Sequence, residues 1–431
     1  MWRGPERGAF ERQGGVIADH ALRAAISEEM HVRRLPRFAA PCRLMQIVTV
    51  LGEKAGDAAR RHVEAVAEAG GLTAPIAGKY AVLSLQGVML VWERHTEFAS
   101  YTLLRDGPFD TPFDPAHFEP QLAGILAGMP GEVLRATQIA VAARNASDPA
   151  PAERETWFSA EGTVVCDVAD GAARILSDFR LHPDGYGRLL VLDRDLAGDE
   201  PAQLVQRLQE LGNYRNVALL GLPLAQHLAP AVTGLESRLA DLTRAVSERT
   251  SEDDRLLDEL TYLSAELARL IADTRYRMSA TRAYAQLCAD RLASLRIGPV
   301  RGHQTLADFT ERRLTPAMRT CESFSARLEN LSQRAAWTSE LLRTRIDIAL
   351  AKQNRDLLSS MDRRTQLQLR LQQTVEGLSV VAISYYLVAL AGYVLDAAPG
   401  LRHDWAMAAA VPIVVAGVAL ALWNLRRRLH D

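Results

Sequence analysis

The residue types in this chain that could do chemistry are scattered, and their spacing excludes most reactions. His20 and His31 are eleven positions apart. On a helix that places them on one face but roughly 16 Å apart along the axis, too far to share a metal ion. Glu28-Glu29-Met30-His31 is not the His-Glu-x-x-His pattern of a zinc protease. Ser84, Ser100 and Ser177 stand in no Gly-x-Ser-x-Gly elbow, so no hydrolase nucleophile is indicated. Gly185-Tyr186-Gly187 lacks the rest of a phosphate-binding fingerprint and reads as a hairpin turn. Cys42, Cys166, Cys288 and Cys321 are widely spaced with no Cys-x-x-Cys, which favours buried, reduced thiols over zinc or disulfides. No catalytic, cofactor-binding or metal-ligating residue emerges. No cofactor is expected, and the chain is expected not to be an enzyme.

What chemistry remains is that of charge at a membrane. The run from Ala317 to Glu376 contains no Gly and no Pro and is rich in helix formers. It leads without a stop signal into the uncharged segment 378–395, just long enough to span hydrocarbon. A second apolar run, 405–423, holds one proline, Pro412, which a membrane helix tolerates. Trp405 and Trp423 bracket it as an aromatic belt would, and Pro399-Gly400 marks the turn between the runs. Arg363, Arg364 and Arg370 precede the first run, and Arg426, Arg427 and Arg428 follow the second. These six are the candidates for lipid headgroup contact. The intervening linker offers only Arg402, so both termini are expected on the cytoplasmic side of the membrane. Ser379, Ser384 and Gly392 could line a pore or permit close helix packing, and Gly377, seven positions before Ser384, would face the same side and leave room for hydrated ions. Asp396, with Tyr393 beside it, would stand at the mouth.

The elements upstream must carry these residues. At 431 residues the chain has room for two or three domains, and 50 basic against 52 acidic residues give a net charge of -2. No global basic field argues for nucleic acid. Residues 1–15 are Gly-rich and charged and are expected to be disordered. A helix is expected from His20 to His31, a strand over 44–51 and a helix over 53–69 ending at Gly70-Gly71. Strands are expected around Gly87, at 134–142, at 163–168, and as a hairpin of 174–180 with 188–193. Segment 95–104 fits neither period, 145–153 reads as loop, and 201–211 as a helix started by proline. From Pro230 to Ala293 the pattern is helical, interrupted near 247–254. Leu306–Leu314 reads as a separate short helix before Pro316. Leu331, Trp337, Leu341, Ile348 and Leu358 suggest a heptad seam on the stalk.

The fold class that follows is α+β. It has an N-terminal α/β domain with a mixed sheet (16–225), a helical stalk region (226–376), a transmembrane hairpin (377–425) and a basic tail (426–431).

Several stretches carry a resemblance to a known family. They are His20-Ala-Leu-Arg-Ala-Ala-Ile-Ser-Glu-Glu-Met-His31, Leu211-Gly-Asn-Tyr-Arg-Asn-Val-Ala-Leu-Leu-Gly-Leu-Pro223, Arg312-Arg-Leu-Thr-Pro-Ala-Met-Arg-Thr-Cys-Glu322 and Leu341 through Tyr386. The chain resembles, almost end to end, a family of bacterial membrane-anchored proteins with domain of unknown function 3422. That family usually has His-Ala-Arg-Pro where this chain has His31-Val-Arg-Arg. The resemblance implies a membrane anchor, in a bacterial inner membrane, and no assigned activity. The layout is also similar to CorA-type magnesium channels, which are pentamers whose first spans line the pore. Their Gly-Met-Asn signature meets Gly392-Tyr393-Val394 here, so the Gly is present and the Asn is not. Two functions follow as expectations: an oligomeric, CorA-like cation channel, or a non-transporting anchored scaffold whose α/β domain binds a partner or ligand. Membrane lipids and further copies of the chain, a pentamer under the CorA layout, are the expected partners.

Overall fold

A computed structural model describes residues 9–12, 15–18, 20–24, 26–27, 34–52, 56–72, 76, 78–159, 161–248, 253–396 and 403–430. The chain divides into two compact units, Met1–Thr243 with Glu259–Ala335, and Arg244–Asp258 with Ala336–Asp431.

The first unit is built on a nine-stranded sheet. Ahead of it in the chain, β1 (Ala9–Arg12) and β2 (Gly15–Ala18) pair as a small hairpin, with Phe10 opposite Ile17, where disorder is expected. The expected helix at His20–His31 falls partly outside the described residues. In sequence the large sheet comprises β3 (Cys42–Val50), β4 (Tyr80–Leu85), β5 (Val88–Arg94), β6 (Phe98–Asp106), β7 (Glu132–Ala142), β8 (Val164–Val168), β9 (Ala173–Ser177), β10 (Gly187–Asp193) and β11 (Gly298–Pro299). Its spatial order is β11-β8-β9-β10-β7-β3-β6-β5-β4. The β7–β10 pair is parallel and its neighbours are antiparallel, so the sheet is mixed. The ambiguous segment is β6. Its residues Phe98 to Leu104 are buried without interruption, so a strand covered on both faces shows no period of two.

The helices follow from local chemistry. α1 (Gly56–Ala69) stops where Gly71 takes φ +78° and Leu72 N–H reaches back to Ala67 O at 2.9 Å, a glycine-terminated cap. Between β6 and β7 lie a 3-10 turn (Pro115–Phe118) and α2 (Gln121–Leu126). α3 (Pro151–Trp157) begins inside the expected loop, because Glu153 accepts from the Ala150 N–H at 2.9 Å and fixes its first turn. α4 (Glu200–Leu219) runs eight residues beyond the expected Leu211. α5 (Gly221–Ser247), α6 (Asp253–Ser294), α7 (Leu306–Asp396) and α8 (His403–His430) complete the chain.

The sheet packs on both faces. On one, Leu44, Val48, Ile139 and Val191 meet Leu204, Val205, Leu208 and Leu211 of α4. On the other, Met45, Leu90, Trp92 and Tyr101 meet Val63 of α1 and Ile125 of α2.

α7 is a single helix of 91 residues, and the separate short helix expected before Pro316 does not exist. Pro316 deprives the Arg312 carbonyl of a helical partner, and the helix passes through it nonetheless. The expected heptad seam is displaced. Leu331 is buried, but Trp337, Leu341, Ile348 and Leu358 are exposed. The buried face runs through Leu328, Leu331, Ala335, Thr338 and Leu342, alternately three and four apart.

In the second unit Leu342 is fully buried. Arg345 pairs with Asp253 at 2.7 Å and donates to the Val246 carbonyl at 3.0 Å. Beyond Ile348, α7 is exposed along most of its surface.

Candidate functional site

Two regions bear on function: the C-terminal part of α7 with α8, and a cleft in the sheet body. Two helical stretches are long and apolar enough to cross a membrane. One lies within Leu306–Val394, with mean hydropathy 1.8 and 6% of its apolar window buried. The other lies within Glu200–Ser247, with mean hydropathy 1.3 and 28% buried. The second begins on the helix that supplies Leu204, Val205, Leu208, Leu211, Val217 and Ala218 to the body core, and Ala225, Val232 and Leu235 further along are buried as well. In α8 the described apolar stretch is Ala408–Ala421.

The residues singled out from sequence lie on these helices. Gly377 has open space where a Cβ would stand. Ser384, seven positions on, is buried at 5% exposure, and its hydroxyl has no hydrogen-bond partner among the described residues. Gly392 is half-buried, Tyr393 is exposed, and Asp396 is the last residue of α7. Arg363, Arg364 and Arg370 are exposed and make no ion pair among the described residues. Arg426, Arg427 and Arg428 continue α8, and the linker residues 397–402 fall outside the described residues.

The cleft was not anticipated from sequence. It opens where the N-terminal ends of the parallel strands β7 and β10 lie under α4, and it encloses about 400 Å³. Its lining includes Arg135, Arg180, Arg188 and Arg215 but no Asp or Glu. Arg135 extends from β7 toward α4, where Nη1 donates to Gln46 Oε1 at 2.7 Å and to Asn213 Oδ1 at 3.0 Å. Gly212 makes this possible, since a Cβ there would stand 2.7 Å from the Arg135 guanidinium carbon.

Arg215, one turn further along α4, lies over the Phe179 ring at 4.9 Å and the Phe309 ring at 5.6 Å. It makes no hydrogen bond or ion pair among the described residues, and its Nη1 is buried without a partner. Burial first, then the charge of Arg215, pull the Arg135 guanidinium down to about 9, so it stays protonated at neutral pH. Burial likewise lowers Arg215; the nearby Cys288 opposes this, and Arg313, stacked on Phe309 at 4.0 Å, adds to the lowering.

The rim is the loop between β9 and β10. Asp178 is buried and holds the loop by accepting from Ser159 N–H at 2.9 Å, Arg180 N–H at 3.2 Å and His182 at 3.1 Å. The turn with Gly185 at φ +85° is the expected hairpin turn, and both Gly185 and Gly187 line the cleft. Arg188 is already engaged by Asp184 at 3.0 Å and the Trp157 carbonyl at 3.0 Å. The uncompensated charges are therefore Arg135, Arg215 and Arg180. Among the described residues no three His, Cys, Asp or Glu side chains gather as metal ligands.

A mixed sheet covered by helices, followed by very long helices, places the chain among α+β proteins with a helical extension. The family model described as protein of unknown function (DUF3422) matches residues 18–429, and the chain belongs to that family. No curated protein and no solved structure matches it. The likeness to CorA-type channels is therefore without support among solved structures.

Proposed function

We propose that this is a membrane-anchored, non-enzymatic protein with two spans. Its sheet body and both termini lie on the cytoplasmic side, where the body acts as a scaffold or regulator. The supporting observation is exposure. Leu378, Val381, Tyr385, Tyr386, Tyr393 and Val394 are all more than two-thirds exposed on an uncharged helix end. Leaving each such side chain in water forgoes roughly 1.5–3 kcal/mol of burial. A bilayer supplies the missing apolar surroundings, and a helix satisfies its own backbone there. Arg363, Arg364 and Arg370 on one side, and Arg426, Arg427 and Arg428 on the other, would meet anionic headgroups of the cytoplasmic leaflet.

Cysteine labelling tests the arrangement. The native thiols Cys42, Cys166, Cys288 and Cys321 are all buried, so the background should be low. A membrane-impermeant reagent added to intact cells should modify Gly400→Cys and leave Leu429→Cys untouched. Labelling of the latter would overturn the topology.

A second reading is an oligomeric cation channel. It draws on the unbroken helix that would enter the membrane and on the exposed apolar residues Leu350, Leu357 and Met361 before it, which a second copy could cover. Purified protein in liposomes should then pass magnesium or monovalent cations. Ser384→Leu should block the flux, and Asp396→Asn should reduce cation preference. No flux from the wild-type protein would leave the scaffold reading alone.

A further inference from the structure

We infer that the cleft between β7, β10 and α4 is a binding site for a small phosphate monoester, whose dianionic head is held between Arg135 and Arg215. The inference goes beyond the membrane reading and does not depend on it, because every lining residue lies in the sheet body.

The argument begins with what is missing. A buried cation is normally retained beside a carboxylate or a full set of acceptors. Arg135 has only two neutral amide oxygens, and Arg215 has none. Among the described residues no acid lines the cleft. The chain nevertheless invests in the arrangement. Gly212 clears the space for one guanidinium, and the Phe179 and Phe309 rings support the other. Phe179 itself sits at φ +51°, a left-handed backbone unusual for an aromatic residue.

An anion bound between the two guanidiniums would supply the absent acceptor for Arg215 Nη1. Guanidinium forks match the oxygens of phosphate and carboxylate. Charge decides between them. Two neighbouring cations in one cleft, with Arg180 at the rim, call for close to two negative charges on one head, which a phosphate monoester carries near neutral pH and a monocarboxylate does not. Much of the remaining wall is apolar, with Leu189, Leu208, Leu211 and Leu306, and Thr137, Ser177 and Asn216 add neutral polar groups. About 400 Å³ leaves room for an organic group on the ester oxygen. Whether that group belongs to a soluble metabolite or to a lipid, the head chemistry is the same.

The test uses the full chain in detergent, with calorimetric titration of inorganic phosphate, phenyl phosphate and benzoate at matched ionic strength. Phenyl phosphate should bind saturably, at least tenfold more tightly than benzoate, with inorganic phosphate between them or near benzoate. Short-chain phosphatidate should compete with phenyl phosphate only if a lipid is the natural source, and either result supports the site.

Arg215→Met supplies the second measurement. It removes a half-buried guanidinium whose Nη1 is buried without a partner among the described residues, so the ligand-free protein should melt no lower than wild type, while phenyl phosphate binding falls at least thirtyfold. Arg215→Lys should recover part of it. Equal affinity for benzoate and phenyl phosphate, or undiminished binding by a folded Arg215→Met, would overturn the assignment.

Discussion

Leucine serves two opposite purposes in the two units. In the sheet body Leu44, Leu90 and Leu103 are at most 1% exposed and pack on neighbouring strands. Along α7, Leu357, Leu358, Leu367, Leu369, Leu371 and Leu378 are each more than half exposed. The body therefore carries its own apolar solvent. The far part of α7 keeps its shape through backbone hydrogen bonds and helix propensity, and these leucines are left largely uncovered by the described chain. Burial in the folded chain, more than hydrophobicity along the sequence, separates the two roles.

Substitutions can break this contrast. The largest effect should come from Trp92→Ala, which empties a fully buried site in the core beside α1 and should cost about 3–5 kcal/mol in denaturant unfolding of the body. Leu371→Ala, at 66% exposure, should change the same measurement by no more than ~0.5 kcal/mol. Comparable losses at the two positions would erase the distinction. Of intermediate size, Leu350→Pro should cost about 3 kcal/mol of local helix stability, seen as lost helicity by circular dichroism. The near-ultraviolet signal of the body's buried Trp92 should stay as it was. If that signal fell together with helicity, the exposed helix would be contributing to the body's fold.

Much of the body was legible because apolar runs bounded by turn residues are a reliable sign of buried strands. The β9–β10 hairpin, the glycine stop of α1 and the break between α5 and α6 lie close to where local chemistry puts them. What failed to show was whatever depends on distant residues. β6 has no alternation because both its faces are covered. β11 is a Gly-Pro pair that no pattern marks as a strand, and it exists only because β8 offers an edge.

The cleft was hidden for the same reason. Arg135 and Arg215 are far apart in sequence and meet only because α4 crosses β7. One signal was available in the stretch Leu211 to Pro223. It places two glycines, Gly212 and Gly221, and a single arginine in an otherwise uncharged helical segment, where each ought to have a reason. The turn at Gly185 was recognised as a turn, but nothing local indicated that it would form a rim. On α7 the helix was plain from composition, yet its buried face was misplaced. Trp337 and Leu341 look like seam residues, and only the fold reveals that Thr338 and Leu342 point inward.

The two residues of β11 also set a schedule for synthesis. The outer edge of β8 is covered by Gly298 and Pro299, with further hydrogen bonds from Ala169 N–H to Leu295 O at 2.9 Å and from Val165 N–H to Gln304 O at 3.2 Å. These partners leave the ribosome only after the whole of α6 has been made. Until then a nascent chain presents an open strand edge, the kind of surface on which neighbouring chains template one another. A fragment cut between α5 and α6 would keep that edge permanently. A fragment carried through Leu306 would close it, and it would do so before the apolar end of α7 had been translated.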